Sequence, residues 1–236
     1  MKSRPPRRRI AAPGLAVLLA GAATAFADPA PDELSADLDV VIGTTTTELD
    51  SRTDTVRGRE AAIGNLFADA LRSMTGADVA MTNGGGIRGG RIYEPGAVLT
   101  RRDILTELPL EDLTVVLQVT GHDLVAALEN GLGKIEEGAG RFPHVSGLSV
   151  VYDPGRPVGE RVLEVRRDGA PLDLDATYTL AVNDYNAGGG DGYDFADKPR
   201  LIDEYAGKLV TSQVIDYIAA QGTVSPVVDG RLKRVD

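Results

Sequence analysis

The stretch GADVAMTNGGGIRGG, residues 76–90, joins a short apolar segment to three consecutive glycines and an arginine. The apolar segment ADVAM predicts a buried strand that leads directly into a glycine-rich loop. Gly84, Gly85 and Gly86 have no Cβ, so their backbone can adopt a positive φ and a flat ligand can approach it closely. Arg88 follows with a planar fork of donors, which suits phosphate or ribose oxygens.

The same loop matches the dinucleotide-binding pattern GxGxxG at Gly84, Gly86 and Gly89. That fold requires a helix to begin inside the pattern, so that its first amides meet a pyrophosphate. Here the chain continues with RIYEPGAVLT, residues 91–100, whose Pro-Gly pair predicts a turn. No glycine segment carries the Gly-Lys-Ser/Thr ending of a P-loop either. The sequence around the glycines therefore argues against both a dinucleotide-binding loop and a P-loop.

A second glycine-rich segment, NDYNAGGGDGYDF at residues 183–195, carries the other candidate groups. Gly189 and Gly190 precede Asp191, whose carboxylate suits the hydroxyls of a vicinal diol. Tyr185 offers an aromatic face on which a base can stack. One copy of the calcium-binding pattern GGxGxD also lies here, but that architecture needs many stacked copies. On these residues alone, two tight turns with solvated charges explain both loops equally well.

Hydrophobic periodicity predicts separate helices and strands. From Glu60 the apolar residues recur at helical spacing and form one stripe that ends at Gly76. Thr-x-x-Asp boxes at Thr100 and Thr120 predict the starts of two more helices. The second half is rich in strands, namely 145–153, 161–169 and 177–184, after an earlier one at 113–120, and it ends with a helix near 208–220. This order predicts an α+β fold, a mixed β-sheet flanked by helices in a single domain.

Residues 1–27 have the features of a secretory signal peptide. Five basic residues precede the apolar run IAAPGLAVLLAGAATAF, and an Ala-Phe-Ala cleavage site ends at Ala27. We predict a periplasmic or secreted protein, cleaved near Ala27-Asp28, with no stable membrane span. Residues 28–40 are predicted to be a flexible acidic tail, and residues 41–236 the folded domain.

The charge of the exported chain limits its partners. Removing residues 1–27 takes away five of the 25 basic residues and none of the 35 acidic ones, which leaves a net charge near −15. That charge argues against nucleic acid and against an anionic membrane surface, because both require a basic face. A small anionic ligand stays possible, since a few placed arginines decide the local potential. The chain has no cysteine, so its core must stabilise it without disulfides.

Six segments occur in an order and spacing typical of one family: RGREAAIGNLFADAL, GADVAMTNGGGIRGG, GAVLTRRDILTELPL, VTGHDLVAALENG, GRFPHVSGLSVVYD and YTLAVNDYNAGGGDGYDF. With them the chain resembles the C-terminal domain of the 5′-nucleotidase and UDP-sugar hydrolase family. The resemblance implies a nucleotide-recognition domain. It also implies that the hydrolysis belongs to an N-terminal metallophosphatase domain with two metal ions, which this chain lacks. The resemblance favours a binding site over the two tight turns.

The resemblance assigns a role to each matching residue. Arg59 and Arg88 would hold phosphate and ribose oxygens, and Asp191 would accept hydrogen bonds from the ribose hydroxyls. Asn83 would bind the base, and Tyr185 stands where the family places a stacking aromatic residue. The loop glycines complete the substrate-binding set: Gly84, Gly85, Gly86, Gly189 and Gly190.

One position departs from the family. Where the family has Leu-Pro-Phe, whose Phe is the second face of an aromatic sandwich around the base, this chain has Leu110. A stacked face contributes about 1–3 kcal/mol per base. We therefore expect Leu110 to weaken base binding or relax its selectivity, unless a nearby residue such as Phe142 takes that place.

The sequence offers no catalytic or metal-ligating set of its own. A binuclear centre needs several His, Asp and Asn ligands, and the chain has two histidines, His122 and His144, neither in a ligand motif. It has no Cys nucleophile and no GxSxG motif. We therefore predict no catalytic residue, no metal site and no cofactor in this chain. The predicted partners are a nucleotide or nucleoside ligand and a separate metallophosphatase chain that carries divalent metal ions.

Two alternatives stay open at this point. The first is a free-standing phosphoesterase with an unrecognised metal site around Asp184, Asp191 and Asp194. The second is an interaction scaffold that kept the fold and lost the pocket, for which Leu110 is mild evidence. Whether this chain is itself an enzyme is therefore undecided by its sequence.

Overall fold

The computed structural model describes residues 37–202 and 207–235. The predicted signal peptide, residues 1–27, and the part of the predicted tail before residue 37 lie outside the described residues. No helix in the two described ranges is long and apolar enough to cross a membrane.

The described residues form short strands, six α-helices and three 3₁₀ turns. The strands are β1 (Val41–Thr45), β2 (Leu49–Asp50), β3 (Val79–Asn83), β4 (Ile92–Tyr93), β5 (Val98–Thr100), β6 (Thr114–Thr120), β7 (Pro143–Ser146), β8 (Ser149–Tyr152), β9 (Val162–Arg167), β10 (Ala170–Pro171), β11 (Thr177–Asn183), β12 (Arg200–Ile202), β13 (Thr223–Val224) and β14 (Leu232–Arg234). The helices are α1 (Thr53–Val56), α2 (Ala62–Thr75), α3 (Arg101–Glu107), α4 (Gly121–Leu132), α5 (Asp184–Ala187) and α6 (Val210–Gln221). The 3₁₀ turns are Gly84–Gly86, Ile135–Glu137 and Gly190–Gly192.

A five-stranded mixed sheet forms the centre of the fold, in the order β12-β6-β11-β3-β7. Strands β3 and β11 run parallel to each other, whereas β6, β7 and β12 pair antiparallel with their neighbours. A four-stranded sheet, β10-β9-β8-β14, and two smaller sheets, β13-β1-β5 and β2-β4, accompany it. The predicted α+β fold, a mixed sheet flanked by helices, is confirmed.

Both faces of the central sheet are buried. In β3, Ala80 packs in one core with helices α2 and α6, whereas its neighbours Val79 and Met81 pack in a second core with α4. Strands β6 and β11 alternate in the same way, with Val116 and Ala181 in the first core. Because side chains on either face meet other elements, each of these strands contains an uninterrupted apolar run, namely 79–81, 115–117 and 180–182.

Local signals at the helix ends are confirmed. Helix α2 carries the predicted apolar stripe and ends at Gly76, which has a φ of 68°. A left-handed residue at this position is a common helix stop, and glycine adopts it without a Cβ penalty. Helices α3 and α4 begin with complete capping boxes at Thr100 and Thr120, in which each Thr hydroxyl and the Asp three residues later exchange bonds with backbone amides.

The prediction of one strand over 145–153 is wrong. The extended conformation is interrupted at Gly147, whose φ is 84°. Strands β7 and β8, on either side of it, join different sheets. A Cβ on Gly147 would also collide with the carbonyl oxygen of Asp78. The apolar pattern alone could not reveal this break, because it depends on a contact with a distant segment.

The parallel pair brings the two glycine-rich segments to one edge of the central sheet. Asn83 and Asn183 end strands β3 and β11, so both lie at this edge. Strand β6 runs the opposite way and starts here, with Thr114 opposite Asn183. Strand β7 also starts here, with Pro143 opposite Asn83. The loops after β3 and β11 therefore converge with the segments before β6 and β7.

Candidate functional site

A cavity of about 530 Å³ opens where these four segments converge. It is lined by residues that follow α1, by residues of both glycine-rich segments and by residues of the segments before β6 and β7. Its lining residues are Arg57, Asn83, Gly85, Gly86, Arg88, Leu110, Asp112, Gly140, Tyr185 and Asp191. Most of the predicted binding residues are thus brought together, although they lie as far apart as positions 83 and 191 in the chain.

The first glycine turn is needed for close packing and not for a left-handed backbone. Gly84 donates to the carbonyl oxygen of Phe142 at 2.8 Å, and Gly85 donates to that of Gly140 at 2.7 Å. A Cβ on Gly84 would collide with the carbonyl oxygen of Val56, and one on Gly85 would lie 2.9 Å from the Gly140 Cα. None of the three consecutive glycines has a positive φ, contrary to the expectation from the sequence.

The second segment holds Asp191 in a left-handed conformation, with a φ of 54°. Asn83 Nδ2 donates to Asp191 Oδ2 at 2.9 Å, and the Tyr185 hydroxyl donates to Oδ1 at 3.2 Å. Gly190 lies so close to the Tyr185 ring that a Cβ there would be 2.6 Å from ring carbons. The left-handed conformation of Asp191 is unfavourable for a residue with a side chain, and it persists where surrounding contacts fix it. The Asp191 carboxylate is therefore a positioned acceptor in the cavity wall.

Two guanidinium groups line the cavity. The side chains of Arg57 and Arg88 make no ion pair and no hydrogen bond with the described part of the chain, and the Arg57 Nε is buried without a partner. A buried donor without an acceptor is costly, so this group would be stabilised by a ligand oxygen. Arg88 is placed by its backbone amide, which donates to the Glu107 carbonyl oxygen at 2.7 Å.

Arg59 is not among the lining residues. Its side chain is exposed, and its Nη2 donates to the Thr55 hydroxyl at 3.1 Å. Arg57, which the sequence analysis missed, lies in the cavity instead. Both arginines belong to the segment VRGRE, and only the course of the backbone after α1 distinguishes them. The role assigned to Arg59 stays a prediction.

An aromatic and an aliphatic side chain form the apolar part of the cavity. Tyr185 is 50% exposed and Leu110 is 44% exposed, and both line the cavity. Phe142 is fully buried in the core and does not line it, so it does not take the place of the family's second aromatic residue. The apolar wall opposite any base stacked on Tyr185 therefore comes from Leu110.

Asp112 is a further lining residue that the sequence analysis missed. Burial and the nearby Asp184 raise the pKa of its carboxyl, while a hydrogen bond from Asn183 partly offsets them. The Asn183 Nδ2 lies 3.0 Å from Asp112 Oδ2 and 3.3 Å from Asn83 Oδ1. A buried amide therefore connects two polar groups of the cavity. No motif in the sequence signals this connection, because it joins three separate strand ends.

The two histidines lie outside the cavity. His122 is exposed, and its Nε2 lies 3.7 Å from an Asp175 oxygen. His144 is fully buried beside the Val56 carbonyl oxygen, and this burial lowers its pKa to about 4. Within residues 37–202 and 207–235, no group of three or more His, Cys, Asp or Glu side chains could hold a metal ion.

The fold is an α+β domain with a cavity lined by two arginines at the strand ends of its central sheet. Comparison with known proteins gives it a family: the profile of the 5′-nucleotidase C-terminal domain matches residues 41–198, and the chain belongs to this family. It is similar to a trifunctional nucleotide phosphoesterase of Bacillus subtilis, with 33% identity over 82% of this chain and 14% of that protein. It is also similar to a snake venom 5′-nucleotidase of Crotalus adamanteus, with 33% identity over 81% of this chain and 36% of that protein.

Similarity to a solved structure supports this family assignment. The crystal structure of a 5′-nucleotidase precursor from Thermus thermophilus is similar at a TM-score of 0.79 and 32% identity, over 87% of this chain and 41% of that one. The chain thus spans less than half the length of each of these relatives.

Proposed function

We propose that the cavity binds a nucleotide or nucleoside, and that the domain serves nucleotide phosphomonoester hydrolysis as its substrate-recognition part. The observation that carries this proposal is a pair of guanidinium groups, Arg57 and Arg88, in one cavity of a strongly acidic protein. Neither group has a partner in the part of the chain that the structure describes. Bonds between guanidinium and phosphate are charge-assisted and can be bidentate. A cavity of about 530 Å³ is also of the size that small-molecule ligands occupy.

The other cavity groups match the sugar and the base. Asp191 is a fixed acceptor for ribose hydroxyls, and Asn83, which orients it, retains one amide hydrogen for a ligand. Tyr185 provides a stacking face, with Leu110 as an apolar second wall. In this proposal the phosphate lies toward Arg57 and Arg88.

We propose that the hydrolysis requires a metallophosphatase, supplied by a separate chain or by a further domain. In the family's two-domain organisation, that part binds two metal ions and generates the attacking hydroxide. The residues of this chain would bind the nucleoside and orient the phosphate, which lowers the entropic part of the barrier. The N-terminal sequence features support export to the periplasm or the extracellular space, with cleavage near Ala27-Asp28.

Isothermal titration calorimetry tests the proposal. The purified chain is titrated with AMP, GMP, CMP and UMP, and we expect saturable binding of at least one at a 1:1 ratio. Replacing Arg88 by Ala should weaken that binding about 10- to 100-fold, the effect of one charge-assisted contact. An absence of binding by all four nucleotides to the folded protein would refute the proposal and favour a scaffold. Metal-dependent phosphate release by the chain alone would instead favour a free-standing phosphoesterase.

A further inference from the structure

One oxygen of the Asp112 carboxylate accepts no hydrogen bond from the described residues. Its Oδ2 accepts from Asn183 Nδ2 at 3.0 Å, whereas its Oδ1 has no hydrogen-bond partner among residues 37–202 and 207–235. The side chain is half-buried and lines the cavity. A carboxylate that is partly removed from water and partly unpaired is stabilised by a ligand that donates to it.

The orientation of the neighbouring amide makes Asp112 Oδ2 a hydrogen-bond acceptor. The backbone amide of Asn186 donates to Asn183 Oδ1 at 2.9 Å, which identifies the oxygen of that side chain. The Nδ2 donor of Asn183 must then face Asp112 Oδ2. Because Asn183 is buried, its side chain has little freedom to rotate. Its hydrogen bond to Oδ2 therefore restrains the Asp112 side chain.

The segment of Asp112 is hydrogen-bonded to the segment of Tyr185. The backbone amide of Leu113 donates to Asp184 Oδ1 at 3.0 Å, and the Asp184 amide donates to the Leu113 carbonyl oxygen at 2.8 Å. These two bonds join the segment of Asp112 to that of Tyr185, the residue after Asp184. Leu110 precedes Asp112 by two residues on the same segment. Asp112, Leu110 and Tyr185 are therefore lining residues on two segments that are bonded to each other.

We propose that Asp112 reads the edge of the base and selects one with two adjacent N–H donors, which among the common bases is guanine. This inference rests on the proposed function. Guanine presents its N1–H and its N2 amino group side by side. Asp112 Oδ1 can accept from one of them, and Oδ2, which has a second lone pair besides the one that accepts from Asn183, can accept from the other. Adenine presents its amino group next to a ring nitrogen acceptor, whose lone pair would face the carboxylate. Hypoxanthine keeps the N1–H and lacks the second donor.

Competitive calorimetry with GMP, IMP and AMP on the full chain tests this inference. GMP should bind about 10- to 100-fold more tightly than IMP, because IMP lacks one charge-assisted hydrogen bond, and AMP should bind no better than IMP. Asp112→Asn replaces one acceptor by a donor, so the GMP preference should fall to about threefold or less. Asp112→Ser, which keeps a small polar group, should have the same effect. Asp194→Asn, an exposed residue outside the lining, should leave the preference unchanged.

The outcomes distinguish a failure of the guanine preference from a failure of nucleotide binding itself. Equal binding of GMP, IMP and AMP, or a GMP preference that both Asp112 variants retain, would overturn the inference and leave nucleotide binding intact. Failure of the folded wild-type chain to bind any of the three would overturn the role of Asp112. If CMP and UMP also failed to bind, the proposed function would be overturned with it.

Discussion

Arg57 and Arg59 stand two positions apart in the chain, yet only Arg57 has a side chain in the cavity. Replacing Arg57 by Ala should weaken nucleotide binding about 10-fold or more, because it removes a charge-assisted contact. Arg59→Ala removes the same charge from the same segment and should change the affinity less than threefold. Calorimetric titration of both variants with one nucleotide measures the difference. Equal losses would show that the binding site includes Arg59, as the family resemblance implies.

Leu110 is the second residue whose effect can be isolated. Leu110→Phe should tighten nucleotide binding about 10-fold, since an aromatic face stacks on a base more favourably than an aliphatic one. Leu105→Phe is a matched control, because Leu105 is also exposed (42%, against 44% for Leu110) and does not line the cavity. Unchanged affinity in Leu110→Phe would mean that the base does not contact this wall.

The residues of the site were only partly predictable from the sequence. Asn83, Arg88, Tyr185 and Asp191 were predicted as site residues because each lies in a glycine-rich segment typical of the family. All four line the cavity. Asp112, which also lines the cavity, belongs to no such segment, and it is held by an amide in another strand. For side chains like these, the position is set by long-range pairing, which a linear pattern does not contain.

At the level of elements, helix α2 contains an unusual glycine. Replacing a helical glycine by Ala normally stabilises a helix by about 1 kcal/mol. A Cβ on Gly64, however, would overlap the imidazole ring of His144, which is fully buried. We therefore expect Gly64→Ala to lower the free energy of unfolding by about 1–3 kcal/mol, the range for overpacking a core.

Urea denaturation followed by circular dichroism checks this expectation. Ser73→Ala serves as the control, because Ser73 lies exposed on the same helix and should change the stability by less than about 0.5 kcal/mol. A stabilised Gly64→Ala variant would contradict the packing of α2 against β7.

Elements with local signals were the predictable ones. The two capping boxes and the stop at Gly76 need only residues within a turn of each other, and all three are confirmed. The break between β7 and β8 at Gly147 was missed, since it depends on the sheet that each strand joins. The sequence analysis likewise placed no helical turns in the glycine loops, where the structure has them.

The stability of the whole molecule should depend on pH through His144. Its ring is fully buried, and its pKa is about 4, lowered from an ordinary value of 6.5 by loss of solvation. The unfolded chain therefore binds a proton near pH 6.5, while the folded chain resists it until about pH 4. Between these values the free energy of unfolding should fall as the pH falls, by about 3 kcal/mol in total from this group.

Denaturation at several pH values, in the wild type and in His144→Gln, measures this contribution. Glutamine does not titrate and can still donate to the Val56 carbonyl oxygen. The difference between the two stability profiles should change between pH 6.5 and 4 and be flat above pH 7.5. Parallel profiles over the whole range would mean that His144 titrates normally in the folded protein.

The most direct test of nucleotide recognition is a crystal structure of the chain with a nucleoside 5′-monophosphate at saturating concentration. We predict that the base lies between Tyr185 and Leu110, that the ribose hydroxyls bind Asp191 and that the phosphate lies toward Arg57 and Arg88. A nucleotide bound elsewhere, or an empty cavity at a concentration that saturates the protein in solution, would contradict this prediction.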